Sequence, residues 1–561
     1  MATVIVLGGV SLAILGATLT WTSNNANLNE RHNQYLASLA AAEAATEKVL
    51  AGLSADYHTA GAAVVHSRLS SYAAMVPNSG ESVLWGDYEF SNAQGTVGQT
   101  HVEVISPWGV SPLISQYRGL QGYAATFRVV SNARQTRSPF DITAAVGQDI
   151  QLATIPLFQF AIFYNLDLEI NPGPNMTVRG RVHSNGRLYA QPQATLRFLG
   201  DVTAAGEIIH DKMPEDPSAR SGGTIVYDEE HDGGVTSLNL PIGTDNSPSS
   251  VRQIVEPPPA GEDPDSQIGK QRYYNKADII VLVYDNRVET FGGLSATGSP
   301  SIPWSVAKSF VSTNASFFNK REGKTVKATV LDVGKLKDYN DTVNPLKTAL
   351  GRDISTVYIR DLRSQTTDTQ PGIKVVNGQY LPPSGLTIAT PQPLYVQGHY
   401  NAPSSALGTA DTTQTKPAAL IADAITILSQ GWSDGNSTKS LSSRVAQSTT
   451  VNAAILAGIV KTTPASYSGG VENFPRFLEN WSGNTLTYNG SMIVMFESQV
   501  ATALWRGTGS TIGIYNPPTR NWNFDNNFLD PTKLPPATPA VRTLIRGQWT
   551  VLPPNTTIVE L

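Results

Sequence analysis

The hydrophobic pattern of the N-terminal part of the chain predicts one long helix. Residues 1–20 carry no ionisable side chain, and the first such side chain is that of Glu30. Further along, apolar side chains recur at the three- and four-residue steps of one helix face. They are Leu28, Tyr35, Leu36, Leu39, Ala42, Val49 and Leu53. No proline precedes Pro77, and Gly52 and Gly61 are candidate ends, so we expect a stem helix that is apolar first and amphipathic afterwards.

The uncharged run is long enough to cross a membrane, since about 20 apolar residues at about 1.5 Å each span the roughly 30 Å of a hydrocarbon layer. Met1 is followed directly by the apolar run, whereas a secretory signal normally begins with a basic region. A membrane-anchored segment is therefore the main expectation. A plain single-span anchor and a buried core helix remain as alternatives.

After Pro77 the pattern changes to short apolar runs separated by turn residues, which predicts a β-rich body. Residues 101–106, 124–131 and 158–164 alternate apolar and polar side chains. Between residues 176 and 206 the runs are punctuated by Gly180, Gly186, Gly200 and Gly206, a pattern typical of the coils of a parallel β-solenoid. The fold class expected from these patterns is α+β, a long N-terminal helix followed by a large β-rich body.

The second half of the chain repeats short apolar runs that carry almost no charge, as strands buried on both faces do. They cover residues 386–390, 394–398, 424–428, 451–458 and 489–496. Several intervals are near thirty residues but follow no strict period, so a β-sandwich stays open beside a second β-solenoid region. Helices are predicted at residues 306–319 and within 333–339.

These patterns divide the chain into seven predicted segments. They are the stem helix at 1–55, the helix end and first β region at 56–165, a β-solenoid-like segment at 166–210, a polar loop insertion at 211–276, a mixed α/β region at 277–370, a second β-solenoid-like region at 371–500 and a Pro-rich extended C-terminal region at 501–561. In the last segment we expect strand-like ends at 541–545 and 549–552.

Composition narrows the function. The 561 residues carry a net charge of only −5 with 15% charged residues, so no nucleic-acid partner is expected. The 47 glycines and 36 prolines agree with turn-rich β structure. Because the chain has no cysteine, disulfides, thiolate catalysis and cysteine-ligated metals are excluded.

Candidate chemistry is sparse. The eight histidines are scattered and stand in no catalytic motif, so the chain is predicted not to be an enzyme and to need no cofactor. The acidic run from Asp228 to Asp232 is a weak candidate for Ca²⁺ binding, against the commoner solvated acidic loop. Aromatic side chains in Asn/Gly/Ser-rich surroundings could stack on sugars or pack in the core; they are Trp481, Tyr488, Tyr515, Trp522 and Phe524.

Residues 36–50, LASLAAAEAATEKVL, follow the apolar run, and their Ala-Ala-Glu-Ala sequence at 41–44 is the most specific part. This stretch resembles the stem of type IV pilin-like proteins, in particular the PilX-type pilus-associated group and large pilin-like surface proteins. Passages such as GRVHSNG at 180–186 and NAAILAG at 452–458 look like those of large pilus-associated proteins. The resemblance implies a basic leader removed by a prepilin peptidase, which would leave Met1 as an N-methylated first residue.

On this resemblance, the chain is a structural subunit of an extracellular type IV pilus-like filament on a bacterial cell surface. It would be anchored in the inner membrane before the pilus assembly machinery builds it into a self-assembled filament through the helix. Residues expected to serve helix packing are Met1, Ile5, Gly8, Gly9, Ala13, Gly16, Leu28, Tyr35 and Leu39.

One departure from the resemblance concerns the fifth residue, where main pilins carry a glutamate and this chain has Ile5. The departure favours, as an alternative, a minor or tip pilin that primes assembly or acts as an adhesin. A membrane-tethered carbohydrate-active β-helix protein is a third and weaker possibility.

Overall fold

The computed structural model describes residues 1–218, 222–293 and 302–554. Residues 219–221, 294–301 and 555–561, which fall in three of the predicted segments, lie outside the described residues. The α-helices of the described part are α1 (Ala2–Ala60), α2 (Ala62–Ser67), α3 (Leu69–Ala73), α4 (Pro248–Arg252), α5 (Gln267–Gln271), α6 (Tyr273–Lys276), α7 (Trp304–Ala307), α8 (Val333–Asp341) and α9 (Pro345–Leu350).

Strands make up most of the remaining regular structure. Those in the first half are β1 (Tyr88–Ser91), β2 (His101–Pro112), β3 (Gln121–Gln135), β4 (Thr143–Pro156), β5 (Ile162–Tyr164), β6 (Leu168–Ile170), β7 (Met176–Val178), β8 (Val182–Ser184), β9 (Leu188–Ala190), β10 (Thr195–Phe198), β11 (Val202–Ala204), β12 (Ile208–Ile209), β13 (Thr224–Tyr227) and β14 (His231–Gly233). The others are β15 (Ile279–Val283), β16 (Val288–Gly292), β17 (Val311–Asn319), β18 (Lys324–Asp332), β19 (Thr356–Asp361), β20 (Thr369–Val376), β21 (Leu386–Ala389), β22 (Leu394–Gln397), β23 (Ala418–Ala422), β24 (Ile425–Leu428), β25 (Thr449–Ile459), β26 (Arg476–Phe477), β27 (Thr485–Glu497), β28 (Thr519–Asn523) and β29 (Ala540–Leu552).

The chain forms two compact units. Unit 1 consists of Met1–Ile155 and the chain from Arg542 onward, and unit 2 consists of Pro156–Val541. In the sequence, unit 2 is thus inserted between the last two strands of unit 1.

Unit 1 contains α1 and a sheet with the order β1-β3-β4-β29, in which β2 also pairs with β3. The pairs β1–β3, β2–β3 and β3–β4 are antiparallel. Alternate residues of β3 and β4 point to the side that α1 covers, because side chains along a strand alternate between faces. They are Ala125, Phe127, Val129, Ile150 and Leu152, and they share a core with Val49, Leu50, Leu53 and Tyr57 of α1.

Unit 2 begins with short parallel strands that recur every 20 residues. The pairs β5–β8 and β8–β11 join Ile162 to Val182 and Val182 to Val202. Two further parallel sheets, β12-β9-β6 and β13-β10-β7, show the same step in the pairs Leu168–Leu188 and Met176–Leu196. Each short strand finds its hydrogen-bond partners in the matching strands of the neighbouring repeats. The parallel ladder thus satisfies the backbone N–H and C=O groups.

The second half of unit 2 contains longer parallel ladders. One sheet joins β27, β25, β23, β21, β19 and β15 in parallel, and a six-stranded sheet has the order β17-β18-β20-β22-β24-β26. All residues of β21, β23 and β24 are buried. Burial on both faces explains the nearly uncharged runs in the sequence, since parallel sheets are covered on both sides.

One ladder of each group belongs to a common sheet, because β27 pairs in parallel with β5 as well as with β25. The resulting sheet has twelve strands. The predicted class is therefore confirmed as a long N-terminal helix followed by a large β-rich body of mixed α+β structure, whose sheets include many parallel strands.

One predicted helix is wrong. Residues 306–319 form only the end of α7 and then β17, whose burial alternates along the strand. β17 pairs antiparallel with β18 through a turn that ends at Gly323, where φ is +67°. The helix predicted within 333–339 is confirmed as α8, and the two strand-like ends predicted after residue 540 form the single strand β29. The segment 211–276 holds β13, β14 and α4 to α6 between turns.

Candidate functional site

The N-terminal half of α1 is an exposed apolar cylinder. All of residues 1–33 are exposed except Asn25, which is half-buried. An 18-residue window of the helix has a mean hydropathy of 2.2 and none of it is buried. In the described part of the chain, α1 is the one helix long and apolar enough to cross a membrane.

Three threonine hydroxyl groups of this half are satisfied within the helix. The Oγ1 atoms of Thr18, Thr20 and Thr22 donate hydrogen bonds to carbonyl oxygens one turn earlier, at 2.8–3.0 Å. A hydroxyl that bonds back to its own helix needs no partner from water. The helix can therefore enter an apolar environment without leaving these groups unpaired.

The predicted helix-packing residues of the uncharged run lie on one side of this cylinder. At about 100° per residue, their positions fall within an arc of about 140°. We call them the small-residue side of α1, and they are Met1, Ile5, Gly8, Gly9, Ala13 and Gly16. A Cβ added at Gly8, Gly9 or Gly16 would meet nothing within 4 Å. Another helix could therefore approach closely at these positions. That these residues pack between copies of the chain stays a prediction.

The C-terminal half of α1 packs on the sheet of unit 1. Its buried residues recur at three- and four-residue steps and include three alanines, which let the helix lie close to the strands. They are Gln34, Ser38, Ala41, Ala42, Ala45, Thr46, Val49, Leu50, Leu53 and Tyr57. The ring of Tyr57 stacks on that of Trp108 at 5.4 Å between centroids, and its Oη lies 2.8 Å from the Oγ1 of Thr154.

Charged groups also attach this half to unit 1. The guanidinium of Arg68 donates to the carboxylate of Asp56 at 3.0 Å, and the Oη of Tyr72 donates to it at 2.6 Å. The helix ends at Gly61, where φ is +80°. Gly61 is one of the two helix ends that the sequence predicted. There, Arg542 donates to the carbonyl oxygens of Tyr57 and His58, both at 3.1 Å, and so satisfies groups that a helix end leaves free.

Sequence reasoning located this buried face only in part. Ala42, Val49 and Leu53 are buried as the pattern indicates, but Leu28 is 60% exposed. Tyr35 and Leu39 are half-buried. Small and polar positions were missed because they were not counted as apolar; they are Gln34, Ser38, Ala41 and Ala45. Their steps of three and four residues were the available signal.

Several of the other candidate residues are buried or paired within the protein. Trp481, Tyr488 and Tyr515 are buried, so core packing is the confirmed alternative for these three rings. The carboxylate of Asp228 forms an ion pair with Arg197 at 2.9 Å. Among the described residues, no group of three His, Asp or Glu side chains is placed to hold a metal ion.

Comparisons with known proteins are sparse. No family model matches the chain. No curated protein matches it. Among solved structures, the competence-associated pilin ComZ from Thermus thermophilus matches with 11% sequence identity and a TM-score of 0.27, covering 92% of this chain and 97% of that chain. At this TM-score the likeness carries no argument about fold or function.

Proposed function

We propose that the chain is a structural subunit of an extracellular type IV pilus-like filament, with the N-terminal half of α1 in the filament core and the β-rich body on the surface. The observation that carries the proposal is the division of α1. One continuous helix of 59 residues buries its second half on a sheet and exposes its apolar first half.

The exposed half requires an apolar partner. Burying one large aliphatic side chain is worth on the order of 1.5–3 kcal/mol. Nine such side chains of the first 20 residues are exposed by more than half; they are Val4, Ile5, Val6, Leu7, Val10, Leu12, Ile14, Leu15 and Leu19. A lipid bilayer and a bundle of identical helices are the two surroundings that could bury all of them together.

Both surroundings enter the proposal, in sequence. The uncharged run is long enough to hold the chain in an inner membrane, and the small-residue side then lets helices of neighbouring copies approach closely during assembly. The location that follows is a bacterial cell surface, with the pilus assembly machinery as partner. The proposal assigns the chain no catalytic activity, no cofactor and no nucleic-acid partner.

We also infer that the parallel ladders of unit 2 are successive coils of a β-solenoid. The support is the 20-residue step between β5 and β12, at which side-chain contacts recur as the strands do. Asp167, Asn171 and Asn175 each accept a hydrogen bond from the backbone N–H of the residue 20 positions later, at 2.7–2.9 Å. A stack of this kind extends the body without long loops.

A second candidate, a minor or tip subunit that primes assembly or acts as an adhesin, is favoured by Ile5. No acidic side chain occurs before Glu30, so the chain itself offers no carboxylate to pair with the terminal amine of a copy packed ahead of it in an apolar core. Immunogold labelling separates the two positions. Labels along the shaft support the main proposal, and labels only at filament ends support the second candidate.

Thiol cross-linking tests the filament proposal, because the chain has no cysteine of its own. Ala13→Cys places a thiol on the small-residue side, and Leu7→Cys places one on the opposite side of the same helix. Under oxidation of isolated surface filaments, we expect covalent dimers from Ala13→Cys and far fewer from Leu7→Cys, because a disulfide needs Cα atoms within about 7 Å.

Val343→Cys, at a side chain of the β-rich body that is 97% exposed, controls for chance collisions. Filaments that lack the chain, or equal cross-linking from all three variants, would contradict the packing of α1 in the core.

A further inference from the structure

Unit 2 contains a cavity of about 480 Å³ that lies beside β5 and β6, the end of β25 and the start of β26. This volume falls within the roughly 300–1,000 Å³ of small-molecule sites. Residues lining it include Tyr164, Glu169, Arg321, Thr462, Ser468 and Arg476. Among the described residues, two buried side chains that line it have an atom without a hydrogen-bond partner.

The first is the guanidinium of Arg321, which is 9% exposed. Its side chain makes no hydrogen bond or ion pair with any residue of the described part of the chain, and its Nε is buried without a partner. The other two basic side chains that line the cavity are paired. Arg476 lies 3.1 Å from the Oε1 of Glu322, and Lys461 lies 2.5 Å from the Oε1 of Glu497.

Arg321 is held in place by its backbone. It lies in the tight turn between β17 and β18, where the Oδ1 of Asn319 accepts hydrogen bonds from the N–H groups of Arg321 and Glu322, at 2.9 and 3.1 Å. Burial, together with the nearby charge of Arg476, lowers the pKa of Arg321 to about 9. An unpaired buried cation is costly, so an anion in the cavity would gain a strong partner there.

The second unsatisfied group is the carboxyl group of Glu169, which is 5% exposed. Its Oε2 accepts hydrogen bonds from the hydroxyls of Thr462 and Ser468, the latter at 2.8 Å, whereas its Oε1 is buried without a partner. Burial is the main cause that raises the pKa of Glu169 to about 6. The free oxygen is an acceptor that suits a hydroxyl donor.

We propose that this cavity binds a small hydroxylated carboxylate of the acidic-sugar class, with the ligand carboxylate on Arg321 and a ligand hydroxyl donating to Glu169. A bidentate guanidinium–carboxylate contact matches Arg321, the cation of the cavity lining that has no partner among the described residues. Asp167 and Glu215 also line the cavity, and these acids disfavour a multiply charged anion such as phosphate. The inference concerns unit 2 alone and is independent of filament formation.

Titration calorimetry on the full chain in detergent tests the proposal, with D-glucuronate as the probe. D-glucuronamide has the same shape without the charge, and inorganic phosphate is a charged probe without the ring. At neutral pH we expect glucuronate to bind at least about tenfold more tightly than glucuronamide or phosphate. Equal binding of the amide, preferential binding of phosphate, or no binding of glucuronate would overturn the proposal.

Two substitutions of Arg321 and one control substitution assign the binding to this cavity. Arg321→Met should weaken glucuronate binding at least about tenfold, while the melting temperature stays the same or rises because an unpaired buried charge is removed. Arg321→Lys keeps the charge but loses the planar guanidinium, so it should also weaken binding. This variant serves as the test if Arg321→Met does not fold. Lys308→Met, at an exposed lysine of unit 2 that does not line the cavity, should bind as the unchanged protein does. Full binding in a folded Arg321 variant, or equal weakening in the Lys308 variant, would refute the assignment.

Discussion

At the scale of single residues, buried carboxyl groups set the pH response of unit 2. Glu479 is 1% exposed, and its two oxygens accept hydrogen bonds from the N–H and the hydroxyl of Ser429, at 2.6 and 2.7 Å. Burial raises its pKa to about 7, although the bonds from Ser429 and the charge of Arg444 act in the opposite direction. A charged group in this surrounding is stabilised less than it would be in water.

Glu479→Gln should therefore change how stability depends on pH. The folded pKa of about 7 lies above the ordinary value of 4.5, so the contribution of Glu479 to stability is fully present below pH 4.5 and is lost as the pH rises through 7. Glutamine does not titrate, so the variant should gain in relative stability over this window by on the order of 3 kcal/mol. Thermal unfolding followed at a series of pH values measures the gain.

Glutamine offers one acceptor oxygen to the two donors of Ser429, and this loss changes stability by an amount that does not depend on pH. The informative quantity is therefore the slope of stability against pH. Glu497→Gln removes a carboxylate that is 44% exposed and serves as the matched control. Its melting temperature should follow that of the unchanged protein across the series. Parallel curves for Glu479→Gln and the unchanged protein would contradict the assigned pKa.

At the scale of elements, the sequence predicts best where local pattern and final structure agree. The stem helix could be predicted, with Gly61 as one of two candidate ends, since its spacing, its lack of proline and its glycines all indicate the same element. The apolar runs at 386–390 and 424–428 contain strands whose residues are all buried, as expected for parallel strands covered on both faces. β17 could not be assigned from local propensity, because pairing with β18 determines that this segment is a strand. The alternation of Val311, Thr313 and Ala315 with polar neighbours was the available signal.

The 20-residue step places glycines of neighbouring repeats in close contact, which gives the step a direct test. A Cβ on Gly200 would lie 2.8 Å from the carbonyl carbon of Gly180 and 2.9 Å from its oxygen. Backbone cannot move aside as a side chain can, so Gly200→Ala should destabilise unit 2 by about 1–3 kcal/mol. Urea unfolding monitored by tryptophan fluorescence gives the value.

Gly435→Ala makes the same substitution at a site where the nearest atom, the Oγ of Ser433, is 3.9 Å away. We expect this control to stay within about 0.5 kcal/mol of the unchanged protein. If both variants unfold alike, the close stacking of the two glycines is wrong.

At the scale of the whole molecule, distance along the chain limits what the sequence can reveal. The cavity of unit 2 brings Glu169 to Thr462, which are 293 residues apart, and no local motif marks either of them. Arg321 follows a segment that was predicted as a helix, so its position in a tight turn was also hidden. The apolar half of α1, in contrast, can be recognised directly from the sequence, because one continuous segment forms all of it.

That segment should decide where the whole chain resides. Ile14 lies within the uncharged run and is 60% exposed, and an arginine near the middle of a membrane span costs about 2.5–3.5 kcal/mol. Ile14→Arg should therefore reduce the equilibrium ratio of membrane-bound to free chain by roughly 100-fold, measured by flotation of membranes before filament assembly. Asn27→Arg adds the same charge beyond the apolar run and should float as the unchanged protein does. Equal flotation of both variants would mean that the β-rich body, and not α1, holds the chain at the membrane.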